Sequence, residues 1–126
     1  MNKLLFTGSS GFLGSNLMSI LKNDYDIKTL GLSSSDDYKI DLSAVVPKLH
    51  ERFDIILHAA GKAHTFPKTE EEKKVYFDIN FQGTKNLCFS LEKTILPKAI
   101  IYISTVAVYG LEFGENITEE HPLKGN

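Results

Sequence analysis

Residues 7–14 read Thr-Gly-Ser-Ser-Gly-Phe-Leu-Gly, and this stretch decides how the rest of the 126-residue chain is interpreted. An apolar run, Leu4–Phe6, precedes it and predicts a first strand over residues 3–7. A segment with helical spacing follows over residues 12–22, and its predicted apolar face consists of Leu13, Leu17, Ile20 and Leu21. A strand, a glycine-rich turn and a helix in this order predict a site where backbone N–H groups bind a phosphate.

The three glycines of this turn have separate predicted roles. Gly8 permits the tight exit from the strand, Gly11 has no Cβ and so lets a diphosphate approach, and Gly14 lets helix and strand pack closely. No Lys or Arg lies in residues 7–14, so the free amides and the dipole at the helix N-terminus would bind the anion. The spacing Gly-x-x-Gly-x-x-Gly is one residue longer than the common fingerprint, and an ordinary Gly/Ser turn is the alternative interpretation.

Composition indicates a single soluble globular domain over residues 1–126, with 42% hydrophobic and 24% charged residues. The net charge of -2, without a basic block, disfavours nucleic acid as a partner. The apolar runs are too short for a membrane span, and the N-terminus does not resemble a signal peptide. The single cysteine, Cys88, excludes an internal disulfide and indicates a reducing cytoplasm; we expect it to be a small buried hydrophobe in a helix.

Strands and helices alternate along the chain. Further strands are predicted at residues 27–32, 39–40, 53–58 and 99–103. One helix is predicted over 43–51, capped by Asp41 or Ser43, and a longer one runs from a capping box at Thr69 to about Glu92. The predicted inner face of the longer helix consists of Val75, Ile79, Gly83, Leu87 and Leu91. This order predicts an α/β fold with a Rossmann-like, doubly wound parallel sheet that stops after about five strands.

Residues at the carboxyl ends of these strands are the candidate site, because ligands of such sheets bind at that edge. They are the glycine loop itself, Ser33, Asp41, Ala59-Ala60-Gly61 and Ser104-Thr105. Five separate features at one edge are much harder to obtain by chance than one glycine turn.

Four segments resemble motifs of the extended short-chain dehydrogenase/reductases, especially the NAD-dependent epimerase/dehydratase branch that acts on nucleotide sugars. Their order and spacing match over nearly all of the chain. The segments are Thr7-Gly8-x-x-Gly11-x-x-Gly14, Leu57-His58-Ala59-Ala60-Gly61, Asn80-Phe81-Gln82-Gly83-Thr84 and Ile103-Ser104-Thr105-Val106-Ala107-Val108-Tyr109-Gly110.

The resemblance implies contacts with a dinucleotide cofactor along the whole edge. The glycine loop would surround the pyrophosphate, Asp41 would lie by the adenine, and Asn80 would lie near the nicotinamide and the substrate. The residues implied to bind the cofactor are Gly8, Gly11, Phe12, Leu13, Gly14, Ser33, Asp41, Leu42, Ala59, Ala60, Gly61, Asn80 and Ser104.

The resemblance also implies one catalytic residue, Thr105, whose hydroxyl would hydrogen-bond the sugar hydroxyl or ketone that exchanges a hydride. Tyr109 is implied to pack rather than to transfer protons. The family's proton-transfer pair is a Tyr with a Lys four positions later, in which the lysine lowers the pKa of the phenol. None of the five tyrosines here has Lys at that position. We therefore expect the chain to be the amino-terminal, cofactor-binding part of a longer enzyme, without the substrate lobe and inactive alone.

The choice between NAD and NADP depends on the end of the second strand. An acidic residue there would bind the ribose 2′-hydroxyl and repel a 2′-phosphate, but residues 31–34 read Gly-Leu-Ser-Ser. Asp36 and Asp37 lie slightly later, where a loop would have to bring one back. The habit of the nucleotide-sugar branch favours NAD, with NADP as the alternative.

The resemblance leaves three functions open. The first is a nucleotide-sugar epimerase, dehydratase or 4-ketoreductase, a homodimer when full length. The second is an NAD(P)-sensing module of the same fold, and the third is a related reductase or hydroxysteroid-type enzyme. Of the other candidate residues, His58 is expected to be a hydrogen-bonded structural histidine, Lys62 and His64 to be solvated, and the four histidines show no metal-ligand spacing.

Overall fold

The sheet consists of five strands: β1 Asn2–Thr7, β2 Tyr25–Gly31, β3 Tyr38–Lys39, β4 Ile55–His58 and β5 Ala99–Tyr102. They come from a computed structural model that describes residues 1–61, 67–104 and 114–124. All neighbouring strands pair in parallel, in the order β3-β2-β1-β4-β5. The order reverses direction at β1, so a crevice is expected beyond the carboxyl ends of β1 and β4.

Successive side chains of a strand point to opposite sides, and at β1 both faces of the sheet are covered. On one side Leu4 and Phe6 pack against the first helix, α1 (Phe12–Leu21). On the other side Leu5 packs with Leu87 and Leu91 of the last helix, α3 (Gly83–Glu92). The predicted doubly wound parallel sheet is therefore confirmed.

Helix α1 faces the sheet with Gly14, Leu17, Met18 and Leu21 rather than with the predicted set. Leu13 is exposed and Ile20 is 64% exposed, so the predicted face was wrong at these two residues. Gly14 lies against the glycine loop, and the side of the helix that packs on the sheet continues from it through Leu17, Met18 and Leu21, at helical spacing.

The helix predicted over 43–51 is absent: residues 42–44 form a turn, and 45–50 are irregular. The carboxylate of Asp41 accepts hydrogen bonds from the Ser43 N–H at 3.0 Å and from the Ser43 hydroxyl at 2.6 Å. Such side-chain bonds offer the backbone an alternative to a helix, and Pro47 disfavours helical geometry at the residue before it. Leu42 and Pro47 are nevertheless buried, so the segment packs without helical structure.

The long helix begins as predicted but is interrupted. The capping box between Thr69 and Glu72 is present, and α2 follows over Glu70–Phe77. A π-helical segment, Asp78–Gln82, then leads into α3. The extra residue of a π turn changes which face the preceding residues present. Consequently Gly83, Leu87 and Leu91 are buried as predicted, whereas Val75 is 43% exposed.

Two further observations concern the surface. Cys88 lies in α3 as predicted, but its side chain is exposed, so the expectation of a buried cysteine was wrong. Among the described helices, none combines the length and apolar character that crossing a membrane requires.

Candidate cofactor site

The glycine loop is held by backbone contacts that leave no room for side chains at two of its glycines. Gly8 has a φ of +77°, and a Cβ there would lie 2.6 Å from the carbonyl carbon of Ala59. A Cβ on Gly14 would lie 2.2 Å from the Gly8 carbonyl oxygen. Gly8 is thus required by its backbone conformation and by the adjacent strand β4, and Gly14 by the close approach of α1 to the loop.

Gly11 differs, because its missing side chain faces open space. A Cβ there would meet only the Gly8 carbonyl oxygen, at an ordinary contact distance of 3.5 Å. Gly11 is the N-cap of α1 and makes no side-chain cap, and the first intrahelical bond runs from the Ser15 N–H to the Gly11 carbonyl at 2.9 Å. The N–H groups of residues 12–14 therefore lack intrahelical acceptors, and the exposed start of the helix carries no acidic residue. This arrangement fits a diphosphate.

A cleft of about 290 Å³ opens beside the loop at the carboxyl edge of the sheet. Six of the predicted residues line it: Gly8, Ser33, Asp41, Leu42, Ala60 and Gly61. Leu30, Gly31, Ile40 and Ile79 supply part of its apolar wall. Its position between the ends of β1, β2 and β4 is the one where doubly wound sheets bind their ligands.

The other predicted residues lie around this cleft rather than in its lining. Residues 11–14 form the start of α1 next to Gly8, and the main chain of Ala59 abuts Gly8 from β4. The amide oxygen of Asn80 would lie 3.1 Å from a Cβ on Gly61, so the π segment reaches the loop after β4. Ser104 is exposed, follows β5 and does not line the cleft.

His58, which also lines the cleft, joins three elements through both of its ring nitrogens. Nδ1 lies 2.5 Å from the hydroxyl oxygen of Thr7 at the end of β1, and Nε2 lies 2.8 Å from that of Thr84 in α3. The Thr7 hydroxyl oxygen accepts from the Ala60 N–H at 3.2 Å, and the Thr84 hydroxyl donates to the Asn80 carbonyl at 2.9 Å. Every donor is satisfied when His58 is neutral with its proton on Nε2 and when Thr7 donates to Nδ1.

The environment of His58 favours this neutral form. The side chain is 2% exposed, and burial lowers the pKa of the imidazole from its ordinary value of 6.5. The ring of Tyr102 lies beside it, with centroids 5.7 Å apart. The expected hydrogen-bonded histidine is confirmed, and its bonds connect the residues after β4 to the π segment and to α3.

Several predicted residues fall outside the part of the chain that the structure describes. They are Thr105, Tyr109, Lys62 and His64. Within the described ranges, no group of three His, Cys, Asp or Glu side chains is placed to hold a metal ion.

Sequence reasoning assigned no role to three polar residues that the structure brings to the site: Thr7 and Thr84, which lie within the quoted motifs, and Asp36. Thr7 and Thr84 contact His58 from elements that are far apart in the sequence, so no local pattern reveals these contacts. Asp36 lies slightly late in the sequence to read the end of β2 unless a loop brings it back, and the turn between β2 and β3 does place it in the lining of the cleft. The cluster of serines and aspartates at 33–37 was the available signal.

Comparison with known proteins gives the family. The profile of the NAD dependent epimerase/dehydratase family matches residues 4–126. The chain belongs to the NAD-dependent epimerase/dehydratase family. The predicted family and the expected cofactor class are thereby confirmed, since the family is NAD-dependent.

Individual members of the NAD-dependent epimerase/dehydratase family agree in sequence and in fold. The chain is 33% identical to N-acetyl-alpha-D-glucosaminyl-diphospho-ditrans,octacis-undecaprenol 4-epimerase of Escherichia coli O157:H7, over 96% of this chain and 37% of that protein. It superposes on the UDP-Glc/GlcNAc 4-epimerase from Campylobacter jejuni with a TM-score of 0.80 and 26% identity, over 100% of this chain and 44% of that one. It superposes on RMD from Pseudomonas aeruginosa complexed with NADPH with a TM-score of 0.76 and 26% identity, over 100% of this chain and 44% of that one. The chain thus spans about two fifths of the length of these relatives.

Proposed function

We propose that this chain forms the NAD(P)-binding part of a nucleotide-sugar epimerase, dehydratase or 4-ketoreductase. The observation that carries the proposal is the glycine loop, which presents the free amides at the start of α1 next to a cleft at the carboxyl edge of the sheet. Relatives that act on nucleotide sugars support the substrate class, among them UDP-glucose 4-epimerases of Mycoplasma pneumoniae and Vibrio cholerae.

Each part of the site has a proposed task. The amides of residues 12–14 hold the diphosphate, and Gly8 keeps the loop close to β4. Ala60 and Gly61 form the wall towards the ribose and nicotinamide, next to Asn80 of the π segment. When bound, the nicotinamide supplies the reversible acceptance and donation of a hydride.

Thr105 is proposed as the catalytic hydroxyl that orients the reacting sugar oxygen, on the strength of the Ser-Thr-x-x-Val-Tyr-Gly segment in which it lies. A Tyr-x-x-x-Lys pair would move the proton, and this chain contains none. We therefore propose that catalysis needs residues beyond these 126 and that the chain alone turns over no substrate. We also propose, from the family resemblance, that the whole enzyme is a homodimer.

Two measurements test the proposal. NADH fluorescence should rise and shift when the chain is titrated into NADH, and absence of binding would contradict the assigned site. The complete protein should interconvert or reduce a nucleotide sugar, and Thr105→Val should lower kcat by about a hundredfold or more while NADH binding persists.

The second candidate function is an NAD(P)-sensing module without chemistry. The hydroxyl of Thr105 within the Ser-Thr-x-x-Val-Tyr-Gly segment favours the enzyme, since a sensor has no need for it. NADH binding by a complete protein that lacks a Tyr-x-x-x-Lys pair and converts no nucleotide sugar would favour the sensor instead.

A further inference from the structure

The end of β2 lacks the acidic side chain that usually binds the ribose of a dinucleotide. Residues 31–34, Gly-Leu-Ser-Ser, contain no carboxylate. In dinucleotide sites of doubly wound sheets, an acidic residue near this position binds the ribose 2′-hydroxyl and selects NAD. The cleft nevertheless has an acidic side chain at this end, which comes from the following turn.

That side chain is Asp36, and the turn between β2 and β3 folds it back onto the end of β2. The Asp36 N–H donates to the Ser33 carbonyl at 3.0 Å, and Asp36 Oδ2 accepts from the Ser33 N–H, also at 3.0 Å. A Cβ on Gly31 would lie 2.6 Å from the same Oδ2, so the carboxylate rests against the bare Cα of Gly31. The missing side chain at Gly31 therefore makes room for the carboxylate of Asp36.

Asp36 is also placed to accept further hydrogen bonds. It lines the cleft together with Gly8 and Ala60. Within the described residues its Oδ1 has no hydrogen-bond partner. Oδ2 of Asp41 is likewise without one, since both bonds from Ser43 go to Asp41 Oδ1, but Asp36 is the carboxylate that lies against Gly31 at the end of β2. The bond from the Ser33 N–H to Oδ2 thus fixes the orientation of the Asp36 carboxylate and leaves Oδ1 available to accept a hydrogen bond.

The charges that line the cleft also favour a ribose hydroxyl over a 2′-phosphate. Among the lining residues that the structure describes, Asp36 and Asp41 are the charged ones, and no Lys or Arg is present. A 2′-phosphate carries close to two negative charges at neutral pH and would lie against these carboxylates without a cation to balance it. A ribose hydroxyl instead donates a hydrogen bond to a carboxylate.

We propose that Asp36 is the specificity-determining residue of the cofactor site. Its carboxylate accepts hydrogen bonds from the hydroxyls of the adenosine ribose and repels a 2′-phosphate, so the site binds NAD rather than NADP. The inference rests on the proposed function, because it requires the cleft to bind a dinucleotide.

The test compares NADH and NADPH binding by fluorescence titration of the protein and of Asp36→Asn. Wild type should prefer NADH by about tenfold or more, and Asp36→Asn should weaken NADH binding about tenfold while strengthening NADPH binding. Asp37→Asn is the matched control: it removes the same charge one residue later, where Oδ2 accepts from the Thr29 N–H at 2.9 Å and the residue does not line the cleft. It should leave the NADH-to-NADPH ratio unchanged.

Gly31→Ala is a second variant that keeps the charge and displaces the carboxylate, since the new Cβ would occupy the place of Oδ2. It should shift the ratio towards NADPH in the same direction as Asp36→Asn. A wild type that binds NADPH as well as NADH would overturn the inference, as would Asp36→Asn or folded Gly31→Ala with an unchanged ratio. Failure of wild type to bind either nucleotide would instead overturn the proposed function.

Discussion

His58 Nε2 lies 2.8 Å from the hydroxyl oxygen of Thr84, so the last residue of β4 is joined directly to the first turn of α3. The same Thr84 hydroxyl donates to the carbonyl of Asn80, inside the π segment. The interruption of the long helix is therefore tied by side-chain bonds to the strand that precedes Ala60 and Gly61. π segments are frequent at functional sites, and this one places Asn80 beside Gly61.

Thr84→Val should destabilise the fold, because it leaves the buried Nε2–H of His58 without an acceptor. We expect a loss of about 1–3 kcal/mol in the free energy of unfolding, measured by urea denaturation. Thr94→Val is the control, since the exposed hydroxyl of Thr94 only donates to nearby carbonyls and its loss should cost about 0.5 kcal/mol or less. Equal effects of the two changes would contradict the role given to the His58–Thr84 bond.

Stability should depend on pH through His58. The pKa of its imidazole is lowered in the folded state from 6.5, so below that value the unfolded chain binds the extra proton first. The stabilisation by neutral His58 is therefore complete above pH 6.5 and is lost as the pH falls towards the lowered folded value. Urea midpoints measured between about pH 8 and pH 5 should show this loss.

His58→Gln supplies the comparison for that measurement. Glutamine offers a donor and an acceptor but does not titrate, so its midpoint should vary less over the same pH range. If His58→Gln showed the same pH dependence as the wild type, the loss of stability at low pH would have to come from other titrating groups.

Substitutions at Gly14 and Gly11 should separate an effect on folding from an effect on cofactor binding. Gly14→Ala should destabilise the chain by at least about 1–3 kcal/mol, because its Cβ would lie 2.2 Å from the Gly8 carbonyl oxygen. Gly11→Ala should cost no more than about 1 kcal/mol, since its Cβ would make only an ordinary contact with the Gly8 carbonyl oxygen at 3.5 Å and Ala is a poorer N-cap than Gly. It should nevertheless weaken NADH binding about tenfold or more, because the space that the Cβ would enter is where the diphosphate approaches the amides. Thermal melts and NADH titrations give the two readouts, and unimpaired NADH binding by Gly11→Ala would contradict the placement of the diphosphate.

Strand β5 should drive self-association of the 126-residue chain. It is an edge of the sheet in the part of the chain that the structure describes, and Ile100, Ile101 and Tyr102 are each about half exposed, at 51%, 49% and 52%. An apolar strand edge is a template for pairing with another chain. Sedimentation should show oligomers that Ile101→Lys reduces, whereas Leu32→Lys, an exposed residue outside the strands, should not. A monodisperse monomer that melts like an ordinary domain would contradict this prediction.

Local patterns predicted much of the fold. Sequence patterns located the five described strands to within two residues. The apolar runs at β1 and β4 are typical of buried parallel strands, which have nearly continuous apolar sequences. The capping box at Thr69 located the start of the long helix. The helix expected over 43–51 failed because the bonds of Asp41 to Ser43 and the presence of Pro47 outweighed the spacing of the apolar residues.

By itself, the sequence determined the family, the order of the strands along the chain, and the edge of the sheet where a ligand would bind. These depend on local pattern, and the glycine loop carries most of that information. Only the tertiary structure decided which side chains meet at that edge. Chain folding brings Asp36 back against Gly31, and it joins His58 to Thr7 and Thr84, which are 51 and 26 positions away in the sequence. Such contacts depend on how a turn closes and how strands and helices pack, and no local periodicity encodes them.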